Sequence, residues 1–178
     1  MEKQQNNLVF GPDDYEALTS IVGTYLITNV EKLSEKDCAD LRRLRTLAFG
    51  RLIAHQERLL DNKGVFYEER KQQFAQSVRD DPEYSPMNDR KLESVESLPA
   101  NPAEAMTIEV PYTDLLQRCI RWYSENITVH AETVTDMLDT VHPELRDEVI
   151  EEVESASMRA TGWAYELGLR DIEAMPLS

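Results

Sequence analysis

Three histidines and two cysteines are the residues of this chain best suited to bond-making chemistry. His55 and His130 each sit at the centre of an apolar run with three- and four-residue steps, so helical geometry predicts that both point inward. Facing helices could bring them together beside Glu57 or Glu132, as a metal site or an acid–base pair. The local spacing argues against it. There is no His-x-x-x-His and no Glu-x-x-His, and no carboxylate lies one turn away on the same face, as helical metal sites require. The plainer expectation is two hydrogen-bonded core histidines that fix packing, with His142 a loop residue before Pro143. Cys38 and Cys119 fall on apolar helical positions with no basic cluster or glycine-rich elbow to lower a thiol pKa. Neither a Gly-x-Ser-x-Gly motif nor a phosphate-cradling glycine loop occurs. No catalytic residue, metal or cofactor is therefore expected.

Charge is the stronger signal. The chain carries 34 acids against 19 bases, a net of −15, and the imbalance is uneven. Residues 100–178 hold 16 acids and 5 bases, whereas residues 1–99 hold 18 and 14. Glu144, Asp147, Glu148, Glu151, Glu152 and Glu154 crowd about three helical turns, and the first four share the side opposite Val153. Like charges four apart, at 144/148, 147/151 and 148/152, each cost a few tenths of a kcal/mol in an isolated helix. The helix dipole offsets only those in the first turn. The plain reading is a solvated face that aids solubility. The functional reading is a surface for a basic partner, with carboxylates standing where phosphates would lie.

Aromatic pairs offer a second candidate surface. Arg121-Trp122-Tyr123 and Trp163-Ala164-Tyr165 each alternate a core-facing ring with one nearer the surface, which makes Trp122 and Tyr165 candidate interface anchors beside the acids. Rings that close the rim of a helical core are the simpler alternative.

The elements that would position these residues are helices. Gly11-Pro12-Asp13-Asp14 reads as a helix entry after a loose arm at 1–11, and Tyr15, Leu18, Val22, Leu26, Val30 and Leu33 then mark one buried face. Gly23 inside that run is explained by a close helix crossing. Ser34 caps a second helix running to the Asn62-Lys63-Gly64 stop, with Leu41, Leu44, Ala48, Leu52, His55 and Leu59 in one stripe. Between Arg42 and Arg58 this helix holds five arginines and one acid, Glu57. Arg45 falls inside the stripe, where a charge needs a partner, and the acid-rich C-terminal helix offers several. That makes the helix the expected hub, with Arg45, His55 and His130 as structural residues. A shorter helix covers Phe66–Arg79. Residues 80–106 hold four of the eight prolines without sustained periodicity, and read as an extended connection or flap with one helical turn near Lys91–Val95. Thr107–Val110 is extended. A long helix follows from Leu116 through Leu138, weakened near Ser124–Thr128. Pro143 then opens the last helix, which Gly168 closes, and the tail at 170–178 is partly ordered.

The whole is an all-α, single-domain helical bundle of about five helices. Two cysteines give no disulfide framework, and neither a signal peptide nor an apolar run of membrane-spanning length is present, so the expected location is cytoplasmic. An acidic chain repels nucleic acid and anionic membrane, which leaves a basic protein surface as the expected partner. The sharpest functional expectation is a non-enzymatic inhibitor or neutraliser of a basic protein, such as one that binds nucleic acid. The alternatives are a helical assembly subunit forming a homo-oligomer, and an enzyme or metal-binding protein using His55 and His130.

Overall fold

The computed structural model describes residues 6–61, 66–83, 86–141 and 143–169. It holds six α-helices and one small antiparallel sheet among them, a predominantly helical bundle as the periodicity predicts. The helices are α1 (Tyr15–Asn29), α2 (Glu35–Gln56), α3 (Tyr67–Arg79), α4 (Pro86–Glu96), α5 (Asp114–Val141) and α6 (Arg146–Glu166). No helix among the described residues is long and apolar enough to cross a membrane.

Local chemistry sets most of the ends. Ser34 is extended and its Oγ accepts from the Asp37 amide at 3.1 Å, satisfying one of the orphan donors that open α2. At the entry to α1, the Asp14 Oδ2 accepts from the Gly11 amide at 3.0 Å and Oδ1 pairs with Arg159 of α6. After α6, Gly168 takes φ 68°, the left-handed conformation that lets its amide and that of Leu169 bond back to Tyr165 and Ala164. The tail at 170–178 lies outside the described residues.

Two expectations for the N-terminal half change. The arm is not loose over its described part: Asn7–Phe10 forms β1, which pairs antiparallel with β2 (Ile108–Pro111) and buries Phe10. The extended segment expected at 107–110 is thus half of a hairpin-like pair whose strands lie about a hundred residues apart. Residues 80–106 are not one extended flap either, because α4 occupies Pro86–Glu96. Among its described side chains the buried ones are Asn88, Ser94 and Val95, mostly small or polar, so apolar periodicity shows no more of it than the turn near Lys91–Val95. What admits that face is Gly50 on α2. A Cβ there would stand 3.0 Å from the Ser94 carbonyl carbon, closer still to its oxygen, and 3.3 Å from Ser97 Oγ.

α2 packs against α1 on one side and α4 on another, whereas α1 packs against α2, α5 and α6, so the central place expected of α2 belongs at least as much to α1. α2 serves two cores rather than one. Cys38, Leu41 and Ala48 join α1, α5, α6 and the sheet, while Ile53 and Ala54 join Leu59, Leu60, Tyr67, Val95 and Leu98. The helix also ends earlier than the Asn62-Lys63-Gly64 signal implies. The chain turns through Arg58 at φ 56°, and a 3-10 turn at Leu59–Asp61 drops both leucines into the second core.

Candidate functional site

The acid-rich segment folds as a 3-10 turn at Pro143–Leu145 followed by the first turns of α6. Glu144, Asp147, Glu148, Glu151, Glu152 and Glu154 are all exposed. Val153, Ala156, Ala160 and Ala164 form the opposite, buried face. Small alanines there let α6 lie close against its neighbours, which leaves the carboxylates on the outer surface. The two arginines of α6 do little to neutralise that surface. Arg146 reaches back to Asp139 of α5 at 3.4 Å, and Arg159 is committed to Asp14. Among the described residues, Asp147, Glu148, Glu151 and Glu154 make no ion pair.

The field reaches beyond one helix. The Glu152 carboxyl is raised from its ordinary value, first by partial withdrawal from water and then by Glu16 of α1 and Glu148. Acids of α1 and α6 therefore repel one another, a cost that the fold carries. Beneath them the fully buried Tyr123 meets Ser20 across 3.4 Å between their hydroxyl oxygens, and burial raises its phenol as well.

The aromatic candidates sit partly in the core. Trp122 is half-buried and meets Tyr25 edge to face at 5.7 Å. Trp163 meets Phe10 in the same manner at 5.1 Å. Tyr165 is half-buried, and its hydroxyl is sealed without a hydrogen-bond partner.

The histidine and arginine expectations are corrected. His55 is exposed near the end of α2 and does not point into the core. Burial there passes to Ile53 and Ala54 because the second core approaches α2 from a different direction than the first. The side chain of His130 lies outside the described residues, as does His142. Among the described residues no group of three or more His, Cys, Asp or Glu is placed to hold a metal. Cys119 is fully buried, and burial pushes its thiol up to about 12, opposite to what a nucleophile needs. Cys38 is also buried.

Arg45 makes no ion pair with α6 or with any other described residue. It lies half-buried across Gly23, whose Cβ position would be 3.2 Å from Nε, and burial first and then the like charge of Arg90 disfavour its protonated form. The buried arginine is instead Arg51, at 8% exposure. Its Nε and Nη1 are sealed without an acceptor, as is the Tyr67 hydroxyl. Sequence reasoning missed this residue, since burial beside the stripe depends on what packs there from elsewhere in the chain.

One open cleft lies among α2, α3 and α4, with about 330 Å³ of room between Phe49, Ile53, Phe74 and Val78 and with Asp81 and Lys91 at its rim. No known protein family, curated protein or solved structure matches the chain. Fold and site together define a class: a helical bundle that presents an acidic, base-poor outer helix face.

Proposed function

We propose that the protein works without catalysis, by docking the acidic face of α6 on a basic protein surface, most sharply as an inhibitor or neutraliser of that protein. One observation carries the reading. Asp147, Glu148, Glu151 and Glu154 are solvent-exposed without a cationic partner among the described residues, while the nearby arginines are spent on Asp139 and Asp14. Glu16 and Glu148 press on Glu152, so approaching cationic side chains would relieve a repulsion that the free protein bears. Such a surface attracts basic groups at long range, which makes association fast and salt-sensitive, and it repels nucleic acid competing for the same partner.

The test is a pull-down from the native host at low and high salt, followed by measured affinity for the captured protein. Affinity falling at least tenfold between 50 and 300 mM salt, with further loss on Glu148→Lys and Glu151→Lys, is the expected result. Binding indifferent to salt and to both reversals would sink the proposal. A second reading, self-assembly, draws on large apolar residues left on the surface, Ile27 at 67%, Phe66 at 61% and Met158 at 78% exposure. Light scattering distinguishes the two, because the first reading requires a monomer competent to bind and the second a defined oligomer.

A further inference from the structure

We propose that the cleft between α2 and α3 binds a small dipolar molecule with an apolar group, the chemistry of a free α-amino acid with an aromatic or branched side chain. α2 and α3 each pack on α4 and barely on each other, and the cleft, of about 330 Å³, is the space they leave. That volume stands at the small end of the ~300–1,000 Å³ typical of small-molecule sites, which suits one compact ligand. Ile53 of α2 and Val78 of α3 line it as buried residues, and the rings of Phe49 and Phe74 line it half-buried. An apolar group seated there would take from water the ring surface that the fold leaves open. Phe49, Ile53 and Phe74 belong to the second core, whereas α6 packs on the first, so the cleft is separate from the acidic face.

The charged groups of the cleft carry both signs. α2 ends at Gln56 and α3 at Arg79, and the lining residues just past those ends are acids, Glu57 and Asp81. A helix C-terminus carries partial negative charge, which adds to the two carboxylates in favouring a cation. Lys91 of α4 brings an ammonium to the same lining and is half-buried. None of these charges is neutralised within the fold. Among the described residues Glu57, Asp81 and Lys91 form no ion pair, with one another or with any neighbour. Asp81 Oδ1 accepts only from the Glu83 amide, at 2.9 Å. A ligand with both an ammonium and a carboxylate answers both signs at once. An apolar cation would leave Lys91 unmet, and an apolar anion would face two carboxylates.

Calorimetric titration of the full chain with L-phenylalanine and with L-leucine tests this. At least one is expected to bind with a Kd of about 1 mM or below, modest because the cleft is open. Removing either charge from the ligand should weaken binding about tenfold or more. For phenylalanine the probes are phenethylamine, which lacks the carboxylate, and phenylpropionate, which lacks the ammonium; for leucine they are isopentylamine and isocaproate. Lys91→Met should lower the amino acid to the level of the amine and leave the amine itself unchanged. Glu57→Gln combined with Asp81→Asn should lower it to the level of the carboxylic acid. Both variants alter exposed or half-buried side chains and should keep native helicity, and the comparison of analogues on the native chain requires neither. No binding of either amino acid at about 10 mM, equal binding of amino acid and analogues, or affinities that either variant leaves untouched overturns the proposal.

Discussion

Replacing Gly50 by alanine tests the helix packing on which α4 depends. In an ordinary helix interior the change stabilises by about 1 kcal/mol, because glycine is the poorer helix former. Here the new methyl would meet backbone. It would lie 3.0 Å from the Ser94 carbonyl carbon and nearer to its oxygen, so α4 must shift away by roughly 1 Å, since a main-chain carbonyl cannot swing aside as a side-chain tip does. Overpacking of this kind costs about 1–3 kcal/mol, and a backbone obstacle puts the site at the upper end. The net is a loss of about 2 kcal/mol, or a fall in Tm of about 4–8 °C for a chain of this size. Two other helical glycines serve as controls. Gly162 on α6 has open space around its Cβ position, so Gly162→Ala should raise Tm by about 1–4 °C. Gly23 faces only the flexible end of Arg45 at 3.2 Å, and Gly23→Ala should lie near zero. Thermal unfolding followed by circular dichroism reads all three. A Gly50→Ala protein as stable as the native one would refute the seating of α4 on α2.

Other expected outcomes follow from burial and charge. Burial raises Tyr15 from 10.0 to about 12 and Cys119 from 9.0 to about 12, so the folded chain holds protons that the unfolded chain releases. Stability should therefore be complete below pH 9 and fall as pH rises, by about 1.4 kcal/mol per unit for each group within its window. Thermal unfolding between pH 8.5 and 10.5 checks this, and Cys119→Ala should flatten the slope between pH 9 and 10. A thiol reagent should leave both cysteines untouched until the chain is denatured, since both are buried. The Glu152 carboxyl, raised by withdrawal from water and by Glu16 and Glu148, also binds its proton more tightly when folded. Its ionisation therefore lowers stability as pH climbs past 4.5, and the penalty persists at neutrality. Glu152→Gln should raise Tm at pH 7, with the advantage shrinking as pH drops below 4.5; an advantage unchanged by pH would assign it to packing. Ser34→Ala should cost about 1 kcal/mol by removing the cap on α2, read as a lower denaturant midpoint.

Much of the helical architecture was legible because its causes lie within a few residues. Ser34 announces α2 through its own hydroxyl, and Gly168 ends α6 through a backbone conformation that side chains disfavour. The crowd of acids on one side of α6 also follows from spacing alone, as does the alanine- and valine-lined face opposite. The burial of Arg51 was not legible. A wheel assumes one buried direction per helix, and α2 has two, so the wheel places His55 inside the stripe and Arg51 only beside it. α4 was legible only as a single turn near Lys91–Val95 for a related reason: the buried residues among its described side chains, Asn88, Ser94 and Val95, form a face without an apolar rhythm.

The sequence by itself therefore determined the helical class, most helix limits and the acidity of the outer face, since these depend on propensity, capping and charge along the chain. Only the tertiary structure decided that β1 and β2 would pair across about a hundred residues, that α4 would close over Gly50, and that Arg51 rather than Arg45 would be buried most deeply. Each of those outcomes depends on which distant surface fills the space beside a residue, and periodicity along one helix contains no record of its neighbours.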